Sequence, residues 1–444
     1  MGVFEIGLLY VIGTFLLLFS GMPIAFALGA VALVFMYFFM PAINLQIIAE
    51  TIYGELNNFT LLTIPMFILM GAAIGKSRAG SDLYDSMHRW LFRLPGGLGV
   101  ANVVGCSIFA AMCGSSPATC SAIGSTGIPE MRKRGYSPGL AAGLVAAGGT
   151  LGILIPPSLT LIIYGIATGQ SIGRLFLAGV GPGILLTVLF SIWVVYAFLR
   201  EKRRALAGLA GKAGKRLLEK EHYSWRQRLE TLPRLAPFVL LIAIIMVALY
   251  GGWATASEVA GVGAFGALLM VMLVYRCYRW SDLKAILNGS ARESAMIMMI
   301  IAMAFLYTYV ASYLHITQSA AEWLVGLHLT KWAFFFWVNV FLVVIGFFLP
   351  PVAIIVMVTP IILPGLQAHG FDLVWYGIIM TIIMEMGLIH PPVGLNLFVI
   401  NGIAPDIPFR DIIWGVLPFI VIMVLAIALL AFLPGIAMWL PNLS

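Results

Sequence analysis

The sequence predicts an all-α polytopic membrane protein built from two inverted-topology repeats, each holding a re-entrant hairpin and a broken helix. Three observations predict it. Of 444 residues, 61% are hydrophobic and 10% charged, with a mean hydropathy of +1.04, whereas a soluble globular chain is about 45–50% apolar and about 25% charged. The apolar runs are ~17–25 residues long, the length at which a helix crosses a bilayer, and they do not alternate over about 10 residues as barrel strands do. Finally, the chain matches itself at a shift of 235 residues. Composition alone excludes a soluble enzyme, a disordered chain, a collagen and a disulfide scaffold.

The runs that can cross are 4–20, 24–42, 62–75, 98–128, 138–168, 175–199, 235–252, 257–278, 293–313, 332–363, 373–403 and 412–440. The first lacks a basic leading segment and carries Glu5 instead, so it reads as a retained span rather than a cleaved signal peptide. Residues 200–234 hold 11 of the 25 Lys and Arg against 4 of the 18 Asp and Glu, which accounts for the whole formal charge of +7. This is a basic cytoplasmic loop obeying the positive-inside rule, not a nucleic-acid surface. The repeats are therefore bounded as 1–200 and 235–444, joined by 201–234 as a loop or amphipathic linker.

At the 235-residue shift, Pro129 falls on Pro364, Gly135 on Gly370, Gly152 on Gly387, Pro156-Pro157 on Pro391-Pro392, and Tyr136 on Phe371. With one residue of slip, Gly29-Ala30 meets Gly263-Ala264, Pro117 meets Pro351, and Gly179 and Pro182 meet Gly415 and Pro418. Charge orients the copies. Run 98–128 lies between Arg89 and Arg93 on one side and Arg132, Lys133 and Arg134 on the other, so both ends face the cytoplasm and the run is a hairpin with its tip near Gly114–Pro117. Run 332–363 has only Lys331 before it and His369 and Asp372 after it, so its base faces the opposite side. That topology leaves 23 basic residues cytoplasmic and 2, Arg174 and Lys331, opposite, with both chain ends periplasmic.

Interior Gly and Pro breaks are tolerated at membrane depth only where the freed backbone is buried in protein or lines a cavity. Two constellations follow. At the first tip, Cys113-Gly-Ser-Ser-Pro-Ala-Thr119 ends one half-helix and starts another, offering carbonyls, the hydroxyls of Ser115, Ser116 and Thr119, and a helix N-terminus. Such a group suits a cation and an anionic substrate; a small-residue packing face is the competing reading. The second constellation is the pair of Pro-Pro breaks, Gly148 to Thr160 with Ser158, and Gly387 to Asn396 with His390. Paired breaks in inverted halves point to a midplane transport site, where one proline would make a mere kink. The ionisable groups in apolar runs are Glu130, Glu258, Glu385 and His390. Glu130 and Glu258 lie near span ends and read as capping or solvated groups. Glu385 reads equally as functional or as a structural hydrogen-bonding group. Cys106, Cys113, Cys120 and Cys277 form no metal or redox spacing and read as packing residues. The Met-rich stretch 296–303 reads as helix or lipid contact, and Trp332–Trp337 as an interfacial belt.

Gly21-Met-Pro-Ile-Ala-Phe-Ala-Leu-Gly29, Thr63-Ile-Pro-Met-Phe-Ile-Leu-Met-Gly71, Gly114-Ser-Ser-Pro-Ala-Thr119, Gly152-Ile-Leu-Ile-Pro-Pro157 and Gly387-Leu-Ile-His-Pro-Pro-Val-Gly-Leu-Asn-Leu-Phe398 resemble the large membrane subunit of TRAP (tripartite ATP-independent periplasmic) transporters, over essentially the whole chain. The resemblance implies a sodium-driven secondary importer of an elevator type, working in a bacterial inner membrane and not as an enzyme. It also implies two partners, a small four-span membrane subunit on a separate chain and a periplasmic binding protein that delivers a small organic anion. Sodium is the only metal and no organic cofactor is expected. By position, the resemblance carries sodium ligation to Gly114, Ser115, Ser116, Gly149 and Gly152, and in the second half to Phe348, Leu349, Gly387 and Pro392. The substrate is expected against Ser116, Pro117, Thr119, Pro157, Ser158, Pro351, His390 and Asn396. The chain departs from its relatives at Leu349-Pro350-Pro351, where an Asp is common, and at His390, where Thr is frequent. A passive channel, or an ion-translocating subunit of an energy-converting complex, is the alternative. It would place several Lys and Glu deep in the spans, and here nearly all the Lys and Arg lie at span ends.

Overall fold

Residues 2–207 and 223–443 are described in a computed structural model of the chain, and within them every regular element is helical. The first repeat opens with α1 (Val3–Phe19), α2 (Ile24–Phe39), α3 (Ile48–Leu56) and α4 (Thr63–Lys76), followed by the short α5 (Ala79–Leu91). The hairpin is α6 (Gly97–Cys113) and α7 (Ser116–Lys133), the broken helix α8 (Pro138–Thr150) and α9 (Leu159–Thr168), and α10 (Ile172–Leu206) closes the repeat. The end of the linker forms α11 (Trp225–Leu229), and the second repeat follows with α12 (Leu232–Tyr250), α13 (Ala256–Leu273), α14 (Trp280–Tyr313) and α15 (Ile316–Gly326). It continues with hairpin α16 (Lys331–Gly346) and α17 (Pro351–Ala368), broken helix α18 (Leu373–Ile389) and α19 (Leu395–Ile403), then α20 (Phe409–Phe432) and α21 (Gly435–Met438). Among the described residues seven helical stretches are long and apolar enough to cross a membrane. Hairpin arms α6 and α16 and the broken-helix segments α8, α9 and α18 are shorter apolar helices.

The repeats interlock by exchange. α2 packs on α14 while its counterpart α13 packs on α4, and α7 packs on α19 while α17 packs on α9. Each outgoing hairpin arm therefore lies against the far half of the other repeat's broken helix. The inversion is visible in polar contacts. α8 begins at Ser137, whose hydroxyl meets Glu201 at the end of α10. The second broken helix instead finishes at that same basic end, where Asp406 pairs with Arg132 of α7. Its start lies at the opposite end, where Lys331 donates to the Gly370 carbonyl at 3.1 Å. α8 and α20 approach glycine to glycine, and a Cβ on Gly143 would sit 2.2 Å from the Gly415 carbonyl carbon. Small residues permit such contact where apolar burial alone gives membrane helices no net attraction.

Three features depart from the run boundaries read in the sequence. α5 and α15 fall outside the apolar runs; in α5, Asp82, Asp85 and Arg89 mask a buried stripe of Ala79, Leu83, Tyr84 and His88. α14 starts at Trp280 rather than 293, and runs 34 residues without a break. The equivalent stretch of the first repeat is divided into α3 and α4 at Asn57-Asn58, where the Asn58 side chain accepts from the Thr60 amide at 2.9 Å and caps the new turn. The linker between the repeats lies outside the described residues over 208–222. Its described end docks on α5: Arg228 is buried, with its guanidinium 4.7 Å from the ring centroids of both Phe92 and Trp225, and Arg234 lies 3.6 Å from Asp82.

The cysteines Cys106, Cys113 and Cys120 are free and buried, as packing residues should be. Met296 and Met299 face outward, while Met303 fills the space above Gly29. Trp332, Phe336 and Trp337 are exposed on the hairpin base, where a membrane interface would receive them.

Candidate functional site

The first tip is formed by backbone conformation. α6 ends on Gly114, in the left-handed region at φ +59°, and Ser115 is extended before Pro117 enters the first turn of α7. Glycine takes that φ without the steric cost a side chain carries. The tip sits directly against the first break. A Cβ on Gly114 would lie 3.0 Å from the Pro157 carbonyl, and one on Gly152 would lie 2.9 Å from the Ser115 carbonyl. On Gly149 it would meet the Cys120 sulfur at 2.1 Å and the Ser116 carbonyl at 3.2 Å. The five residues assigned to the first sodium site, Gly114, Ser115, Ser116, Gly149 and Gly152, thus form one cluster.

The hydroxyls of Ser116 and Thr119 there are engaged. Ser116 Oγ donates to the Gly149 carbonyl at 2.9 Å and accepts from Asn396 Nδ2 at 2.9 Å. Asn396 Nδ2 also donates to the Ala146 carbonyl at 3.1 Å. Thr119 Oγ1 donates to the Ser115 carbonyl at 2.9 Å, and Ser158 caps α9 by accepting from the Leu161 amide while donating to the Ile153 carbonyl. Ser116, Ser158 and Asn396 are fully buried. Asn396 therefore bridges the two repeats from within, and its Oδ1 is buried without a partner among the described residues. Pro157 is buried under the tip, while Pro117 is partly exposed.

The second tip is built by different side chains. α16 ends at Gly346, and a Cβ on Gly387 of α18 would lie 2.5 Å from the Gly346 carbonyl, so the two backbones touch. His390 stacks on Phe347 with ring centroids 4.0 Å apart and planes at 15°, and its Nδ1 pairs with the Pro391 carbonyl. Around this contact lie Leu349, which is buried, Phe348, which is exposed and meets the edge of Phe19 at 5.4 Å, and Pro392, also exposed. Pro351 is partly exposed at the start of α17. The Pro156-Pro157 and Pro391-Pro392 bonds are both cis.

Glu385 is fully buried two residues before Gly387, with neither carboxylate oxygen hydrogen-bonded among the described residues. The residue at the same place in the first repeat is Thr150, whose hydroxyl donates to the Ala147 carbonyl. Glu130 is held by Lys133 and Arg134 of its own helix, and Glu258 forms a capping box with Thr255, so both serve helix ends. No cluster of three metal-binding side chains occurs among the described residues.

Sequence reasoning missed one feature beside the first tip. A cavity of about 550 Å³ separates α7 from α4 and α14 and carries Lys76, Arg78 and Glu293 on its walls. The cations read as ordinary span-end charges, and Glu293 stood at the edge of a run whose helix in fact begins 13 residues earlier.

Two inverted repeats, each with a hairpin tip set against a helix broken at membrane depth, define a multi-pass membrane transport protein. The family model for the tripartite ATP-independent periplasmic transporter, DctM component, matches residues 11–436, and the chain belongs to that family. It is 37% identical over 399 residues to the C4-dicarboxylate TRAP transporter large permease protein DctM of Pseudomonas aeruginosa, covering 90% of each chain. It is 33% identical over 426 residues to the isethionate TRAP transporter permease protein DctMQ of Oleidesulfovibrio alaskensis, covering 96% of this chain and 64% of that one. Its fold is similar to the crystal structure of the Alcanivorax borkumensis YdaH transporter, with a TM-score of 0.62 at 14% identity, over 98% of this chain and 99% of that one. The chain is thus a transporter permease subunit and not an enzyme. Its family implies secondary transport served by a binding protein and a small membrane subunit.

Proposed function

We propose that this permease couples inward sodium movement to import of a small organic anion received from a periplasmic binding protein. The observation that carries the reading is the pair of tips against breaks, where a Cβ on Gly152 would lie 2.9 Å from the Ser115 carbonyl and one on Gly387 2.5 Å from the Gly346 carbonyl. Carbonyl and hydroxyl oxygens suit a hard monovalent cation, and the N-termini of α7 and α17 favour an anion next to it. Sodium is assigned to Gly114, Ser115, Ser116, Gly149 and Gly152 at one tip and to Phe348, Leu349, Gly387 and Pro392 at the other. The substrate is assigned to the partly exposed rims, Pro117, Pro351 and His390. Thr119, Pro157, Ser158, Ser116 and Asn396 support the rims from behind.

The hairpins and broken helices of both repeats, divided as 1–200 and 235–444 about the 201–234 linker, move as an elevator past α2, α4, α13 and α14. Both termini lie in the periplasm. The small partner is a separate four-span chain. The length of the DctMQ relative beyond the matched region leaves room for such a subunit on one polypeptide. The named substrates of the relatives, C4-dicarboxylates and isethionate, are small organic anions and support that class.

Glu385 favours a second reading, proton coupling, because a buried carboxylate without partners can carry a proton across. The test is uptake into proteoliposomes holding this chain and the small subunit, supplied with the cognate binding protein loaded with an acid selected by thermal shift. Uptake is expected to need both partners and an inward sodium gradient. Comparable flux from this chain alone, given free acid, contradicts the tripartite reading.

A further inference from the structure

The cavity beside the first hairpin runs from Ser115 at the tip to Lys76 and Arg78 at the basic end of the molecule. Its walls are small by design of sequence. α7 turns Ala118, Ser121, Ala122 and Ser125 toward it, at steps of three and four that define one helix face, and α4 turns Gly71 and Gly75. Facing small residues leave a gap that close packing would otherwise fill. The third wall is α14, whose Glu293 reaches the cavity about 20 Å along that helix at 1.5 Å per residue. Among the described residues none of Lys76, Arg78 and Glu293 has an ion-pair partner. An acid at that depth marks an ion or substrate path, because facing lipid or protein unpaired would be costly.

We propose that this cavity is a water-filled release vestibule for an anion, in which Lys76 and Arg78 receive the anion at the mouth and Glu293 reverses the potential at the inner end. The proposal rests on the anion-import reading and adds the charges that give release its direction. A carboxylate freed at the tip meets Glu293 on one side and, outward, Lys76 about 7.5 Å of helix rise beyond Gly71, which packs on Cys113, with Arg78 two residues later. Charged walls of a narrow cleft focus the field and raise the local concentration of the opposite charge.

The experiment uses the reconstituted complex with Cys113→Ala and Cys277→Ser as background, and Ala118→Cys near the tip or Ser125→Cys near the mouth. Each is modified by negatively charged sulfonatoethyl and positively charged trimethylammonioethyl methanethiosulfonate, with rates normalised to a free thiol. At Ser125→Cys the anionic reagent is expected to win by about tenfold, and at Ala118→Cys the order is expected to reverse. Lys76→Gln with Arg78→Gln should abolish the first preference, and Glu293→Gln the second. Equal normalised rates at both positions, or no modification at either, overturns the proposal. The reversal between the two positions needs no charge variant, so a Glu293→Gln chain that fails to fold leaves the test intact. Thiol rates require neither sodium nor substrate, so a failure of sodium coupling shows in uptake and not here.

Discussion

Gly387 and Ser116 carry the most specific consequences at the residue scale. A Cβ at Gly387 would lie 2.5 Å from the Gly346 carbonyl, and an overpacked contact of that kind costs about 1–3 kcal/mol. Gly387→Ala should therefore lower the thermal midpoint and raise the sodium concentration for half-maximal uptake. An unchanged sodium response would remove Gly387 from the second site. Ser116→Ala removes the donor to the Gly149 carbonyl and the acceptor for Asn396 at once, and leaving buried partners unsatisfied costs about 1–3 kcal/mol. Because Ser116 and Asn396 form one bridge, Ser116→Ala and Asn396→Ala should couple in a double-mutant cycle by about 0.5–3 kcal/mol. Additive losses in chemical denaturation would show that the bridge does not join the repeats. Ser115→Ala leaves that bridge intact and should shift the sodium dependence with little loss of stability.

Element by element, much of the architecture was legible because Gly and Pro act locally. The 235-residue shift places α7 (Ser116–Lys133) on α17 (Pro351–Ala368) end to end, and the breaks between α8 and α9 and between α18 and α19 fall at the two Pro-Pro pairs. The amphipathic α5 was not legible as an apolar run, since Asp82, Asp85 and Arg89 cancel its buried stripe in any hydropathy window, and α15 is too short and too interrupted by Thr317-Gln318-Ser319 and Glu322 to form one. Nor was the role of Asn396, whose partners Ser116 and Ala146 lie 280 and 250 residues away. Its repeat equivalent is Leu161, so internal symmetry pointed to an apolar residue there. Glu293 escaped for a different reason: α14 begins 13 residues before the apolar run, so the acid stood at a run edge and not within a helix. The inverted arrangement predicts opposite exposure of Ala207, at the end of α10, and Ala368, at the base of the second hairpin. Ala207→Cys should react with an impermeant thiol reagent only from the cytoplasmic face, and Ala368→Cys only from the periplasmic face. Labelling of both from one face would refute the topology.

On the scale of the whole molecule, the exchange of α2 with α13 and of α7 with α17 about a common centre gives two sites of opposite orientation in one body. If each site carries sodium inward with the anion, uptake moves net positive charge, and each such charge gains about 2.3 kcal/mol per 100 mV of inside-negative potential. Uptake should accordingly rise steeply with imposed potential. The most direct measurement of the central claim is initial uptake by the reconstituted complex under a sodium gradient alone and under a pH gradient alone, in the unsubstituted chain and in Glu385→Gln. Sodium-site coupling predicts uptake with sodium in both proteins and none with the pH gradient. Uptake that persists without sodium, follows the pH gradient and disappears in Glu385→Gln would contradict it.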